Sequence, residues 1–313
     1  MCSDANRPPT AVIFPGQGSQ QPGFGGPWES HPAFSAVVGR AEQATGLELA
    51  PLLLDQDEDL SGTREAQLAV LLGSLVAWEA AHDEVGPPAA WAGHSLGQIT
   101  ALIASGAVGF EEGLRLAVAR AEATAAAARE APGSLVALLG ASEEQAEAAC
   151  ADVRSSGQEV WVANVNAPGQ VVAGGTPAGV EALANLAAGH GIRRCRPLAV
   201  GGAFHTPLMA PAVERLAPVL AETAFAPPSA PIAANDDASL VTGGDGWAER
   251  LGVHLVKPVR WWGCVDSLAA AGIEQFVEAG PGTTLSGLIR RCVPDLVVRA
   301  VGSPDDLPLG AAS

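Results

Sequence analysis

A strand, a tight turn and a helix are written into Gly93-His94-Ser95-Leu96-Gly97 and its flanks. The apolar run Ala89 to Ala92 precedes it, and a helical pattern from Gln98 to Ala104 follows. A sharp strand-to-helix turn with a Ser at its apex calls for glycine on either side, because only Gly tolerates the close backbone approach. Such an elbow exposes the hydroxyl and aims the N–H groups of the next helix at it, where they can hold a developing oxyanion. In a plain loop the same residues would be a Gly-rich turn with a helix-capping Ser. The flanking strand and helix favour the elbow, and with it an α/β fold and Ser95 as a nucleophile.

The rest of the chain divides by rhythm. Ala11 to Phe14 reads as a strand ended by Pro15-Gly16, and Pro32 to Thr45 as a helix. Thr63 to Ala81 is a helix with Leu68, Leu71, Leu72, Leu75 and Val76 at helical spacing. Its most apolar part, Ala66 to Ala81, is broken by Gln67 and Glu79 and falls short of the ~20 clean apolar residues of a membrane span. Glu111 to Arg129 is an Ala-rich helix. Then comes a strand at Ser134 to Leu139 and a helix from Ser142 to Arg154. Strands at Glu159 to Val165 and Gln170 to Ala173 follow, joined by the turn Asn166 to Gly169. A helix at Thr176 to Gly189 and a strand at Arg193 to Val200 close the segment. This β-α-β-β-α-β order is the ferredoxin-like pattern. Residues 130–199 are therefore read as a small α+β subdomain inserted into a larger α/β domain made of 1–129 and 200–313. Beyond it lie helices at Pro207 to Thr223 and Gly246 to Val253, a strand near Gln275 to Glu278, and a frayed tail from Leu307 to Ser313.

Composition excludes whole classes of function. The chain is 48% hydrophobic and 16% charged, the opposite of a disordered segment. Its net charge of −17 argues against nucleic acid or an anionic membrane surface as partner. The five cysteines form no C-x-x-C pair, which suggests neither a disulfide framework nor a zinc site. The start, Met1 to Thr10, lacks the apolar core of a signal peptide. A soluble, cytoplasmic monomer with no bound metal is expected.

A Ser nucleophile needs a base. Of six histidines, His205 is placed best, in the small-residue loop Gly201 to Pro207 that enters a helix. His94 adjoins Ser95, but neighbours on an elbow usually point apart. After the first strand, Gly16-Gln17-Gly18-Ser19-Gln20 fails as a dinucleotide or phosphate loop, since Gln21 stands at the sixth position and no Lys follows. The stretch can instead offer a second oxyanion N–H at Gln17, or it can be an ordinary turn.

Six motifs in register now resemble a known family. They are Pro15-Gly16-Gln17-Gly18-Ser19-Gln20, the Ser95 elbow, Arg120, and Asn164-Val165-Asn166-Ala167-Pro168-Gly169-Gln170. Ala203-Phe204-His205-Thr206-Pro207-Leu208-Met209 and Glu278-Ala279-Gly280-Pro281-Gly282 complete the set. Their order is that of malonyl-CoA:acyl carrier protein transacylases, a family that includes acyltransferase domains of polyketide and fatty acid synthases. The resemblance spans roughly Ala11 to Val301. It implies an α/β-hydrolase-like domain with a ferredoxin-like insert. It also implies ping-pong transfer of malonyl from malonyl-CoA to the phosphopantetheine thiol of an acyl carrier protein, with no bound cofactor. Ser95 and His205 would be catalytic, the backbone of Gln17 and Leu96 the oxyanion hole, and Arg120, Phe204, His94, Asn164 and His254 the substrate contacts. Arg120 would grip the malonyl carboxylate in a planar two-pronged fit; the plainer alternative is a surface Arg paired with Glu122. Phe204 resembles the malonyl type, its ring filling the space an α-methyl would need.

The chain departs from the family's pattern at four places. Gln98 stands for Glu after the elbow, Ala121 and Thr124 for Gly and Met after the Arg, and His254 for Gln or Asn at the carbonyl that orients the catalytic His. The Gln98 and Thr124 changes are expected to alter the pocket wall. They leave open a discrete polyketide acyltransferase for a non-malonyl group. An acyl hydrolase that clears stalled carrier proteins and a non-catalytic carrier-binding module are the remaining alternatives. Docking of an acidic carrier would fall to Arg193, Arg194 and Arg196, or to Arg290 and Arg291.

Overall fold

The computed structural model describes residues 7–307. The expected tail beyond Leu307, and Met1 to Asn6 of the polar start, lie outside the described residues. The strands are β1 (Thr10–Phe14), β2 (Ala90–Gly93), β3 (Ser134–Leu139), β4 (Val160–Ala167), β5 (Gln170–Gly175), β6 (Arg194–Pro197), β7 (Ile232–Ala233), β8 (Leu240–Val241), β9 (Gln275–Ala279) and β10 (Val297–Val301). The helices are α1 (Pro32–Thr45), α2 (Pro51–Leu54), α3 (Thr63–Val85), α4 (Gly97–Ala104), α5 (Phe110–Glu130), α6 (Glu143–Ser155), α7 (Pro177–Leu186), α8 (Ala210–Glu222), α9 (Trp247–His254), α10 (Trp261–Ala270) and α11 (Thr284–Cys292).

Two sheets organise these elements. The larger runs β10-β9-β1-β2-β7-β8, parallel except for the β7–β8 edge. Parallel strands are covered on both faces, and β1 is buried along its whole length. Its side chains alternate: Val12 and Phe14 join the core under α1, α3, α4 and α5, while Ala11 and Ile13 join the core under α10 and α11. The smaller sheet runs β4-β5-β3-β6, antiparallel throughout. In strand order that is the 2-3-1-4 arrangement of a ferredoxin-like unit, so the expected fold class holds.

The small sheet is itself two-faced. Val136, Leu138, Val162 and Val171 pack on α6 and α7. Leu135, Ala137, Ala163 and Val172 face the other way, with Phe204, Leu198 and Val200 against them. A parallel bridge from Asn164 to Val259, with backbone bonds of 2.8 and 2.9 Å, stitches β4 to the larger part. That stitch fixes the apolar underside of the small sheet as a roof over the elbow.

Several boundaries differ from the expectation. The last strand of the small sheet is shorter, Arg194–Pro197 instead of Arg193 to Val200, because pairing with β3 covers only those four residues. The helix expected from Thr176 to Gly189 stops at Leu186 and tightens into a 3₁₀ turn at Ala187–His190, closed by Gly191 in the left-handed region. The helix expected from Pro207 begins as a 3₁₀ turn, Pro207–Met209. The turn expected at Asn166 to Gly169 shrinks to Pro168-Gly169, since β4 continues through Ala167. Six elements had no counterpart in the sequence reading: α2, α10, α11, β7, β8 and β10.

Candidate active site

The elbow is built as its glycines require. A Cβ on Gly93 would strike the carbonyl of Gly97, and a Cβ on Gly97 would strike that of Phe14. Ser95 between them has φ 55°, a left-handed conformation that costs an L-residue about 1–3 kcal/mol. Asn235 offsets the strain. Its Oδ1 accepts from the Ser95 amide at 2.8 Å, and its Nδ2 donates to the Gly93 carbonyl at 2.9 Å. One side chain thus ties the apex of the turn to the strand below it. Gln98 holds Asn235 in turn, accepting from the Asn235 amide at 3.2 Å while its own amide donates to Ala233.

His205, at φ 62°, meets the hydroxyl from the opposite side. Its Nδ1 lies 2.7 Å from the carbonyl of His254. A carbonyl only accepts, so Nδ1 carries the proton and Nε2 is left as an acceptor. Nε2 sits 2.7 Å from Ser95 Oγ. Burial, and then the charge of Arg120, lower the His205 pKa to about 3, so the imidazole is neutral near pH 7.

Arg120 is the third member. It lies on α5, 6% exposed, and donates from Nη2 to Ser95 Oγ at 3.1 Å. Its Nη1 donates to Gln67 Oε1 on α3. Glu122, the surface partner weighed for it, instead pairs with Arg64 at 3.4 Å. Desolvation lowers the Arg120 pKa to about 10, which leaves it charged.

These groups line one cavity of about 380 Å³ between the elbow and the underside of the small sheet. Gln17, His94, Ser95, Leu96, Arg120, Asn164, Phe204 and His205 all border it. Asn164 and Asn166, two apart on β4, present the same face, and Asn166 Oδ1 lies 2.9 Å from His94 Nε2. Among the described residues, no group of three or more His, Cys, Asp or Glu could hold a metal, and no helix is long and apolar enough to cross a membrane.

Three expectations need correction. His254 is not on the cavity wall; it is 2% exposed, its ring packs 4.7 Å from that of His205, and what it offers is its backbone carbonyl. Gln98 and Thr124 do not alter the pocket wall either. Both are buried behind it, Gln98 under Asn235 and Thr124 under Gln67. Sequence reasoning also missed Gln67 and Asn235 as site residues. Gln67 had left a signal, a lone amide in the most apolar helix. Asn235, after the short strand β7, left none.

Comparison with known proteins shows the family. The acyl transferase domain family matches residues 11–304. The malonyl CoA-acyl carrier protein transacylase of Bacillus subtilis is 36% identical over 301 residues, covering 96% of this chain and 95% of that protein. The chain belongs to this family. The structure of the malonyl-CoA:acyl carrier protein transacylase from Xanthomonas oryzae superposes with a TM-score of 0.89 at 37% identity, covering 96% of each chain. A complex of a type II polyketide synthase acyl carrier protein with its malonyl-transacylase matches with a TM-score of 0.89 at 33% identity, covering 95% of this chain and 97% of that one. The resemblance carried by the six motifs is borne out, and this protein is an acyltransferase.

Proposed function

We propose that this acyltransferase moves malonyl from malonyl-CoA to the phosphopantetheine thiol of an acyl carrier protein through an acyl-enzyme on Ser95. His205 Nε2 takes the Ser95 proton as Oγ attacks the thioester carbonyl. The carbon–oxygen bond forms, the carbonyl electrons move to oxygen, and the amides of Gln17 and Leu96 receive that charge. One such donor contributes about 3–4 kcal/mol in enzymes of this chemistry. When the tetrahedral centre collapses, the carbon–sulfur bond breaks and His205 returns the proton to the CoA sulfur. In the second half the carrier thiol gives its proton to His205, its sulfur attacks the acyl-Ser95 ester, and Ser95 regains the proton. One thioester is exchanged for another, so the energies nearly balance. Arg120 holds the malonyl carboxylate, and Phe204 crowds the side where an α-methyl would sit.

The observation that carries these roles is the convergence on Ser95 Oγ of a neutral imidazole at 2.7 Å and a buried guanidinium at 3.1 Å. Catalysis by a hydroxyl and an imidazole needs the first; selection of a carboxylate-bearing acyl group needs the second. The test is intact mass after mixing with malonyl-CoA, then with holo carrier protein. A malonyl adduct that is absent in Ser95→Ala and moves to the carrier is expected. Rapid release of free malonate would make the protein a hydrolase, and no adduct would remove the catalytic reading.

A further inference from the structure

Thr124 does not border the cavity, yet its hydroxyl touches the side chain that does. It lies one turn after Arg120 on α5, 1% exposed. Its Oγ1 donates back into its own helix, to the carbonyl of Arg120 at 2.8 Å, with that of Ala121 at 3.2 Å. A hydroxyl has one proton. With that proton spent on the helix, Oγ1 can offer Gln67 only lone pairs. The Gln67 Nε2 therefore faces it, at 2.9 Å, and Oε1 is forced to the other side, where Arg120 Nη1 donates to it. Gln67 is 2% exposed, so no bulk water replaces either bond.

We infer that Thr124 is a positioning residue for acyl-group selection: its hydroxyl fixes the orientation of the Gln67 amide, and through it the plane of the Arg120 guanidinium. A flipped amide would set an NH₂ against the guanidinium, donor facing donor. A guanidinium released from Gln67 would keep its charge but lose its aim, and a two-pronged grip on a carboxylate depends on aim. Arg120 holds its remaining donors toward the cavity because Nη1 is pinned from behind. The inference rests on the proposed role of Arg120 toward malonyl.

The experiment compares Thr124→Val, which keeps the shape and removes the hydroxyl, with Thr124→Ser, which keeps the hydroxyl. Arg120→Ala is measured beside them. Each purified full-length protein is assayed for Ser95 loading from malonyl-CoA and from acetyl-CoA. Thr124→Val is expected to raise the malonyl-CoA KM and lower the malonyl-to-acetyl ratio of kcat/KM by about tenfold, the effect of one lost buried hydrogen bond. Thr124→Ser is expected to keep the ratio within about twofold of the parent protein on the same reasoning. A purely structural role would depress malonyl and acetyl loading together and leave their ratio alone. If Thr124→Val keeps the ratio while Arg120→Ala loses it, the inference is overturned and the role of Arg120 stands. If Arg120→Ala itself keeps the ratio, the role of Arg120 falls and the inference with it.

Discussion

Replacing His254 by Gln should weaken the dependence of stability on pH, by an amount the structure sets. His205 and His254 are buried and His94 is half-buried, and desolvation lowers the pKa of each below 6.5. The groups facing the His254 ring add to this: His205, Arg120 and His94 bring only positive or neutral charge toward it. His254 Nε2 has no hydrogen-bond partner to repay protonation. As pH falls through about 6.5, the unfolded chain takes up a proton at His205 and His254 and the folded chain does not. Stability therefore falls with falling pH, by about 1.4 kcal/mol per pH unit per group. His205 and His254, the two strongly lowered groups, give about 3 kcal/mol per unit, a large share of a total stability of typically about 5–15 kcal/mol. Above pH 6.5 all three imidazoles are neutral in both states and the term vanishes.

His254→Gln removes one imidazole and keeps the main-chain carbonyl that His205 needs. The variant should lose about 1.4 kcal/mol per pH unit less than the parent between pH 6.5 and 5. Glu278 works the other way, since burial raises its pKa, but it is common to both proteins and cancels in the difference. Urea unfolding followed by Trp fluorescence at half-unit steps measures the two slopes. Parallel slopes would mean that His254 is protonated in the folded chain, or that it titrates normally there, and would refute the reasoning.

The acid limb of malonyl loading should lie well below pH 6.5, because the His205 pKa is lowered to about 3; a limb at 6.5 in the kcat/KM profile would place the base elsewhere. Asn235→Ala strips the Ser95 amide of its acceptor at a strained turn and should cost about 1–3 kcal/mol in thermal unfolding, with slower acyl-enzyme formation measured by mass. Arg194 and Arg196 on β6, and Arg290 at the end of α11, are exposed beside elements that border the cavity. Reversing their charge should raise the KM for carrier protein and spare that for malonyl-CoA; an unchanged carrier KM for both clusters would remove them from docking.

What the sequence exposed and what it hid follow one physical division. Gly93 was legible because a Cβ there would strike the carbonyl of Gly97, four residues on, a local collision; Gly97, whose Cβ would strike Phe14 on the neighbouring strand, was legible only from its place in the same turn. The β-α-β-β-α-β unit was legible because period-2 and period-3.6 patterns alternate cleanly there. β10 was not, because Val297 to Val301 is a short edge strand, only partly buried, that pairs with β9 alone. Helix α11 hides for another reason. Its first amides are held by Glu278, seven and eight residues upstream, at 3.0 and 2.7 Å, so its start is capped by a strand residue and not by a local signal. Gln67 and Asn235 belong to the same class: each acts across 53 and 140 residues of chain, on Arg120 and Ser95. Contacts made at such range carry no spacing rule that a single sequence can reveal.

The charge content of the chain takes on a sharper sense at the cavity. Arg120 is the one charged side chain among the residues that line it, and none of them is Asp or Glu. A guanidinium buried without a carboxylate has lost hydration and gained little, as its lowered pKa records. In a protein of net charge −17, carboxylates are plentiful, and the cavity nevertheless holds none. The free enzyme has thus already met the cost of dehydrating the cation. An acyl group that arrives with its own carboxylate meets a donor fork held in place by Gln67, and little ordering is left for the binding step. An acyl group without one leaves Arg120 donating to Ser95 Oγ, where the hydrogen bond draws on the lone pair that must attack. On the proposed role of Arg120, the same 3.1 Å contact would work against acetyl and be broken in favour of malonyl.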